Sequence, residues 1–182
     1  MIYSEDKKLA IRAIEKTDLP LIKSWRNDES LRRYFREYRD FSMVQKENWY
    51  DGMIGDNRFE MFVIEDYTIN DGVRDSKPIG VAGVTYIDWV NRHGDVHFYI
   101  GKDSQWIDDK CSPKAIKLIL DYGFKTLNLN KLWAEIYEID TKKLDFFRSL
   151  GFQIDASLRE HYFYEGEYYT SHILSLLRGE YY

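Results

Sequence analysis

The sequence has one cysteine, Cys111, in 182 residues. It therefore forms no internal disulfide and no zinc site built from several cysteines. No apolar run approaches the roughly 20 residues that a helix needs to cross a bilayer. The first six residues do not form a secretory signal. We therefore expect a cytoplasmic protein that does not associate with membranes.

Basic charge is also scarce, with 26 Lys plus Arg against 31 Asp plus Glu and a formal net charge of −5. Without a long basic run, binding to nucleic acid is not expected. The length predicts one domain over residues 1–182, with enough apolar residues for a core. Aromatic residues make up 16% of the chain. They suit a thick core, a stacking surface or a groove for ring-shaped ligands, and composition does not choose among these.

The hydrophobic pattern of the first half is helical near the start and then alternates with period two. Thr17 to Pro20 resembles a helix start, and Ser42 with Gln45 forms a capping box. Turn residues Asn70, Asp71 and Gly72 separate two of the strand patterns. Helices are predicted near residues 17–27, 31–35 and 42–53, and strands at 8–14, 59–64, 77–89 and 95–101. The last three strands read as an antiparallel meander.

The second half contains two further helices. Ser112 and Pro113 predict the start of the first, with Ser112 as the N-cap, and an apolar stripe follows. A strand at 131–139, a helix at 140–150 and two strands at 153–163 and 168–177 complete the chain. The order predicts an α+β fold with a mixed, mostly antiparallel sheet of about seven strands flanked by helices. Residues 95–138 should form a β-α-β crossover between parallel strands.

Short motifs along residues 8–179 make the chain resemble the GCN5-related N-acetyltransferases, the GNAT family. The pattern is closest to the ribosomal-protein and amino-sugar acetyltransferases. The motifs are Trp25-Arg26-Asn27, Ile79-Gly80, Asp95 to Ile100, Tyr122-Gly123-Phe124, Leu150-Gly151-Phe152, Leu158-Arg159-Glu160 and Gly166. Three positions depart from the family pattern. The phosphate loop at residues 107–112 has no glycine, Phe147 stands where a tyrosine is usual, and Asp140 replaces an asparagine.

The resemblance implies acetyl-CoA as co-substrate, direct attack of an amine on the thioester, and no metal. The backbone of Phe98, Tyr99 and Ile100 would hold the pantetheine arm and the thioester oxygen. The free amides at the start of the helix at Ser112 would face the diphosphate. The further residues that the resemblance assigns to the cofactor are Lys110, Cys111, Lys114, Asp140, Lys143 and Phe147.

Asp95 matches the acidic position on the family's central strand and is the predicted general base. It would remove a proton from the acceptor amine, directly or through water. His97, two residues on, points to the same sheet face and could share or replace that role. Two structural alternatives stay open. Asp95 could pair with Arg92 or a turn amide, and His97 could be a packed sheet histidine.

The acceptor side is predicted at Trp25, Arg26, Asn27, Arg33 and Tyr34. Arginine binds phosphate and rings stack on Trp or Tyr, which favours an amino sugar or sugar nucleotide as the small-molecule acceptor. Solvated surface arginines are the structural alternative. A protein N-terminal acetyltransferase and a non-catalytic binding module are the functional alternatives. The sequence leaves a homodimer open.

Overall fold

The computed structural model describes residues 1–70 and 73–182, so the turn predicted at residues 70–72 lies largely outside the described residues. The strands are β1 (Ile2–Tyr3), β2 (Leu9–Ala13), β3 (Glu60–Asn70), β4 (Val73–Asp88), β5 (His93–Ile100), β6 (Lys131–Tyr137), β7 (Gln153–Tyr164) and β8 (Glu167–Leu177). The α-helices are α1 (Leu19–Arg26), α2 (Glu29–Arg32), α3 (Met43–Ile54), α4 (Ser112–Asp121), α5 (Thr141–Ser149) and α6 (Arg178–Tyr181).

The strands form one eight-stranded sheet in the order β1-β2-β3-β4-β5-β6-β8-β7. Among the strands of the described residues only β5 and β6 pair in parallel, and α4 lies in the connection between them. The predicted α+β fold with a mostly antiparallel sheet is therefore confirmed. The eighth strand, β1, was not predicted because it has only two residues, Ile2 and Tyr3, which pair with Ile11 and Ala10 of β2.

The sheet divides between β5 and β6. Their parallel pairing covers three positions and ends where Asp95 faces Trp133. Beyond Asp95, β5 continues against β4 as far as Ile100, whereas β6 continues against β8 as far as Tyr137. The two strands therefore separate from Asp95 onward, and the opening between them leaves backbone groups of β5 available to other partners.

Local signals explain most helix ends. Ser42 Oγ accepts a hydrogen bond from the Gln45 backbone N–H at 3.2 Å, and Gln45 Oε1 accepts one from the Ser42 backbone N–H at 2.9 Å, as the capping box predicts. In α5 the Asp140 side chain accepts the Lys143 N–H at 3.1 Å. The predicted cap of α4 is wrong, because Ser112 is its first residue and the side chain that caps it belongs to Asp108.

The apolar stripe of α4 is buried as predicted. Ala115, Ile116 and Ile119 are fully covered, and Phe124, just beyond the helix, joins them in the core. Fully burying an aliphatic or aromatic side chain contributes about 1.5–3 kcal/mol, so this stripe fixes α4 on the sheet. No helix of the described residues combines the length and apolar character that crossing a membrane requires.

Candidate active site

A cavity of about 390 Å³ lies beside the opening between β5 and β6. Its walls come from α1, the segment between α2 and α3, α3 itself, β3 to β6 and α5. Elements from both halves of the chain therefore meet at this cavity. The polar lining residues are Arg26, Tyr34, Arg36, Glu37, Lys46, Trp49, Thr85, Tyr86, Asp95, His97, Tyr99, Trp106, Glu135, Tyr137 and Lys143.

Asp95 lines this cavity and is buried, at 5% exposed. Its Oδ2 lies 2.8 Å from Nη1 of Arg36, whose Nε lies 2.9 Å from Glu135 Oε2. The alternative pairing with Arg92 is wrong, because Arg92 Nε donates to the carbonyl of Asn128 at 2.8 Å instead. One arginine thus holds two carboxylates at the cavity wall.

Burial raises the pKa of Asp95, and the attraction of Arg36 only partly offsets that effect. A carboxylate with a raised pKa holds a proton more strongly than an exposed aspartate does, which makes it a stronger base. Carboxylates perturbed in this way concentrate at functional sites. The position and the electrostatics of Asp95 therefore both suit a general base.

His97 lines the same cavity, two residues along β5 from Asp95. Its ring lies 5.6 Å from that of Tyr99 in an edge-on arrangement. Desolvation, with the charges of Arg26 and Lys143, lowers the pKa of His97 well below its usual 6.5. The imidazole is therefore neutral at pH 7, and the nearby cations oppose its protonation.

Two basic side chains that line the cavity, Arg26 and Lys46, lie against aromatic rings. The Arg26 guanidinium carbon lies 3.7 Å from the centroid of the Phe35 ring, and Lys46 Nζ lies 3.9 Å from that of Trp49. Both also contact Phe41, at 5.6 and 4.9 Å. Within residues 1–70 and 73–182, neither makes an ion pair or a side-chain hydrogen bond.

The aromatic contacts do not compensate the burial of these charges. A cation–π contact contributes about 0.5–2 kcal/mol, whereas removing an ion from water costs several kcal/mol even after relaxation. Lys46 is only 4% exposed, and burial lowers its pKa to about 7. Arg26 Nε and the hydroxyl of Tyr99 are also buried without a hydrogen-bond partner among the described residues. The cavity is therefore lined here by more hydrogen-bond donors than nearby side-chain acceptors of the described residues can bind.

The edge of β5 that faces the opening is already engaged. Lys143 Nζ donates to the Phe98 carbonyl at 3.0 Å, and the Ile100 N–H and carbonyl both pair with the backbone of Trp106 at 2.9 Å. The Trp106 indole N–H donates to Asp140 at 2.7 Å. Desolvation lowers the pKa of Lys143 to about 8. Lys143 thus occupies the Phe98 carbonyl, a group that the resemblance assigns to the pantetheine arm.

The loop at residues 107–112, where the resemblance places the diphosphate of acetyl-CoA, suits that group less well. The Asp108 carboxylate accepts the backbone N–H groups of Cys111 and Ser112, which the resemblance assigns to the cofactor. Lys114 forms an ion pair with Asp6, and Lys110 is exposed. Burial and the Asp108 charge raise the pKa of the Cys111 thiol to about 11, which keeps it protonated at neutral pH.

The other predicted site residues divide into two groups. Tyr34 lines the cavity with Arg26, and its ring stacks on Trp106 at 4.9 Å. Four others are absent from the lining: Trp25, which packs in the core; Asn27, whose amide bonds the Phe41 backbone; Arg33, which lies on the Tyr34 ring; and Phe147, which is fully buried.

Sequence reasoning missed Arg36, Lys46, Trp106, Glu135 and Tyr137 among the lining residues. Lys46 carried a weak signal, since it precedes Trp49 by three residues and therefore shares a helix face with that ring. Arg36 and Glu135 carried none, because they are 99 residues apart and meet only after the chain folds.

A family model described as an acetyltransferase (GNAT) domain matches residues 8–153. The chain is 27% identical over 171 residues to spermidine N(1)-acetyltransferase of Escherichia coli K12, covering 94% of this chain and 87% of that protein. It is 26% identical over 176 residues to the Vibrio cholerae protein of the same name, covering 97% and 96%.

An uncharacterized N-acetyltransferase, p20 of Bacillus licheniformis, is 27% identical over 187 residues, covering 99% of this chain and 97% of that protein. The crystal structure of Vibrio cholerae spermidine N-acetyltransferase in complex with CoA and spermine superimposes with a TM-score of 0.85. It has 26% identity and covers 96% of this chain and 98% of that one. The chain therefore belongs to the GNAT family and is an acetyl-CoA-dependent N-acetyltransferase that acts on an amine.

Proposed function

We propose that this acetyltransferase modifies a primary amine on a small acceptor that enters the cavity, with an amino sugar or sugar nucleotide as the acceptor class. The observation that carries the proposal is the position of Asp95. Its carboxylate lines the acceptor cavity, and the same residue is the last of β5 to pair with β6. A base there reaches both the acceptor amine and the opening assigned to the thioester.

In this proposal the amine nitrogen attacks the thioester carbonyl carbon directly. The new N–C bond forms as the C–S bond breaks, and the thiolate of coenzyme A leaves with the bonding electron pair. The proton from the amine passes to Asp95, directly or through one water. His97 is the second candidate for that proton, and Lys143 lies near enough to Asp95 to act on its charge.

The acceptor class is supported by what lines the cavity. Tyr34, Phe35 and Trp49 offer ring faces, and Arg26 and Lys46 offer positive charge without a paired carboxylate. A sugar ring that carries phosphate uses both. The named relatives favour a polyamine as the second candidate acceptor, but unpaired cations on one wall oppose a polycation by like-charge repulsion.

The test is thiol release from acetyl-CoA with a panel of amines, followed by mass spectrometry of the products. The panel holds glucosamine, an amino-sugar nucleotide, spermidine and a peptide with a free N-terminus. Preferential turnover of the sugar amines supports the proposal, whereas preferential turnover of spermidine or the peptide overturns the acceptor class. The homodimer stays a prediction, which light scattering on the purified protein tests.

Acetyl-CoA binding by this chain is tested separately from turnover. A ligand that binds only the folded state raises the melting temperature, so acetyl-CoA should raise it in a thermal-shift titration. No thiol release together with no thermal shift at millimolar acetyl-CoA would contradict the proposal.

A further inference from the structure

Three donor residues line the acceptor cavity, and Arg26 Nε and the Tyr99 hydroxyl are buried without a hydrogen-bond partner among the described residues. Arg26 and Lys46 share the Phe41 ring, at 5.6 and 4.9 Å from its centroid. Tyr99 belongs to the same group, because its ring contacts Phe35, on which the Arg26 guanidinium lies. The group comes from three separate elements, α1, α3 and β5.

No carboxylate among the described residues pairs with these donors. The described carboxylates that line the cavity are Asp95, Glu135 and Glu37. Arg36 pairs with the first two, and Glu37 accepts the Arg39 side chain in two hydrogen bonds of 2.9 and 3.0 Å. The Glu37 charge attracts Arg26, but the two side chains form no ion pair in the described part of the chain. Buried donors are almost always satisfied in proteins, so an unsatisfied set at a cavity wall indicates a ligand.

We propose that Arg26, Lys46 and Tyr99 form an anion subsite that binds a phosphate or carboxylate group of the acceptor. An oxyanion there accepts hydrogen bonds from the guanidinium, the ammonium and the phenol together, and hydrogen bonds between charged groups are stronger than neutral ones. The subsite rests on the proposed function, since it names the chemistry of the acceptor in that same cavity. The acceptor is then an amine that also carries an anionic group.

This arrangement selects against a polyamine. A second ammonium group of such an acceptor would face Arg26 and Lys46, and like charges repel. A neutral amine would enter but leave the three donors unsatisfied, and a site built to hydrogen-bond a substrate group discriminates against analogues that lack it. Of the three kinds of acceptor, the anionic one accepts hydrogen bonds from Arg26, Lys46 and Tyr99.

The experiment compares amines in matched pairs that differ by one anionic group. The pairs are ethanolamine with phosphoethanolamine, glucosamine with glucosamine 6-phosphate, and propylamine with β-alanine. Thiol release gives kcat/KM at constant ionic strength for the wild type and for Lys46→Met, which keeps the length of the side chain. The control is Lys125→Met, which removes an exposed lysine that pairs with Asp121 outside the cavity.

The wild type should prefer the anionic member of a pair by about tenfold or more. Lys46→Met should lower kcat/KM for the anionic member by about tenfold more than for the neutral member of the same pair. Tyr99→Phe should have a smaller effect in the same direction, and Lys125→Met should have none. Preference for phosphate over carboxylate identifies which anion the subsite holds. Equal use of both members by wild type and Lys46→Met overturns the subsite while the proposed function stands.

A binding measurement keeps the two proposals separable. Inorganic phosphate and phosphoethanolamine should raise the melting temperature of the wild type, and the rise should shrink in Lys46→Met and in Tyr99→Phe, each compared with its own ligand-free form. If no amine releases thiol but this ligand-dependent shift remains, the proposed function falls and the subsite stands. If phosphate shifts wild type and both variants equally, the subsite falls.

Discussion

The Asp108 carboxylate accepts the Ser112 backbone N–H at 2.7 Å and so caps the first turn of α4 from within the chain. The same carboxylate accepts the Cys111 N–H at 3.0 Å and the Ser112 hydroxyl at 2.9 Å. These hydrogen bonds lower the pKa of Asp108, so it is ionised at neutral pH. A negative charge thus already occupies the amides that a helix N-terminus offers to phosphate.

Replacing Asp108 with Gly should therefore tighten acetyl-CoA binding and weaken the fold. Removing the carboxylate frees two backbone amides and takes away a negative charge that repels the diphosphate. We expect the Kd for acetyl-CoA to fall by about fivefold at low salt, and by less as ionic strength rises. Loss of the cap should cost about 1 kcal/mol of unfolding free energy. Calorimetric titration and thermal denaturation measure the two effects.

Asp109→Gly is the matched control, because Asp109 is exposed and precedes the same helix. It should change binding and stability far less than Asp108→Gly does. Equal or weaker acetyl-CoA binding by Asp108→Gly would mean that the diphosphate does not use the amides of Cys111 and Ser112. The glycine-free loop would then be a structural cap alone.

Replacing Asp95 with Asn should remove the general base while keeping the size of the side chain. We expect the turnover rate to fall by about 100-fold or more, and acetyl-CoA affinity to stay within about twofold. Steady-state kinetics and calorimetry give the two values. His97→Gln is the comparison variant. A larger loss of rate in His97→Gln than in Asp95→Asn would assign the base to His97.

The pH dependence of the reaction should report the raised pKa of Asp95. A base works only when deprotonated, so kcat/KM should fall as pH drops through the pKa of Asp95, above its ordinary value of 3.8 because of burial. That acidic limb should disappear in Asp95→Asn. Persistence of the same limb in the variant would show that another group titrates there.

Lys46→Met should stabilise the ligand-free protein, and more at low pH than at high pH. The folded-state pKa of Lys46 is about 7, below its ordinary 10.5. Below pH 7 the folded state carries the full cost of a buried charge, and that cost declines as pH rises from 7 to 10.5. Urea unfolding should show a gain of at least ~1 kcal/mol at pH 6 that shrinks by pH 9. A pH-independent difference would mean that Lys46 stays protonated in the folded state over this range, as a well solvated lysine does.

Restoring the family's tyrosine at Phe147 should not restore an acid. Phe147 is fully buried, 4.9 Å from the Phe152 ring centroid and 6.0 Å from that of Phe146. A hydroxyl buried there without a partner should cost about 1–3 kcal/mol of stability and leave turnover unimproved. Phe146→Tyr, at a half-buried neighbour, should cost less. Faster turnover with unchanged stability would show that the ring at 147 reaches the leaving thiolate.

The sequence by itself determined what depends on short stretches of chain. The capping box at Ser42 and Gln45 is satisfied within one turn of helix, and the stripe along α4 follows from the 3.6-residue period. The meander and the family motifs, including Asp95 on β5, are local patterns of the same kind. These signals need no knowledge of distant residues, which is why the fold class and the family could be predicted.

The tertiary structure alone decided which side chains face one another. Arg36, Asp95 and Glu135 come from three separate segments and meet only in the folded chain. Ion pairing and desolvation depend on distance and burial in space, and chain folding brings these groups together across many residues of sequence.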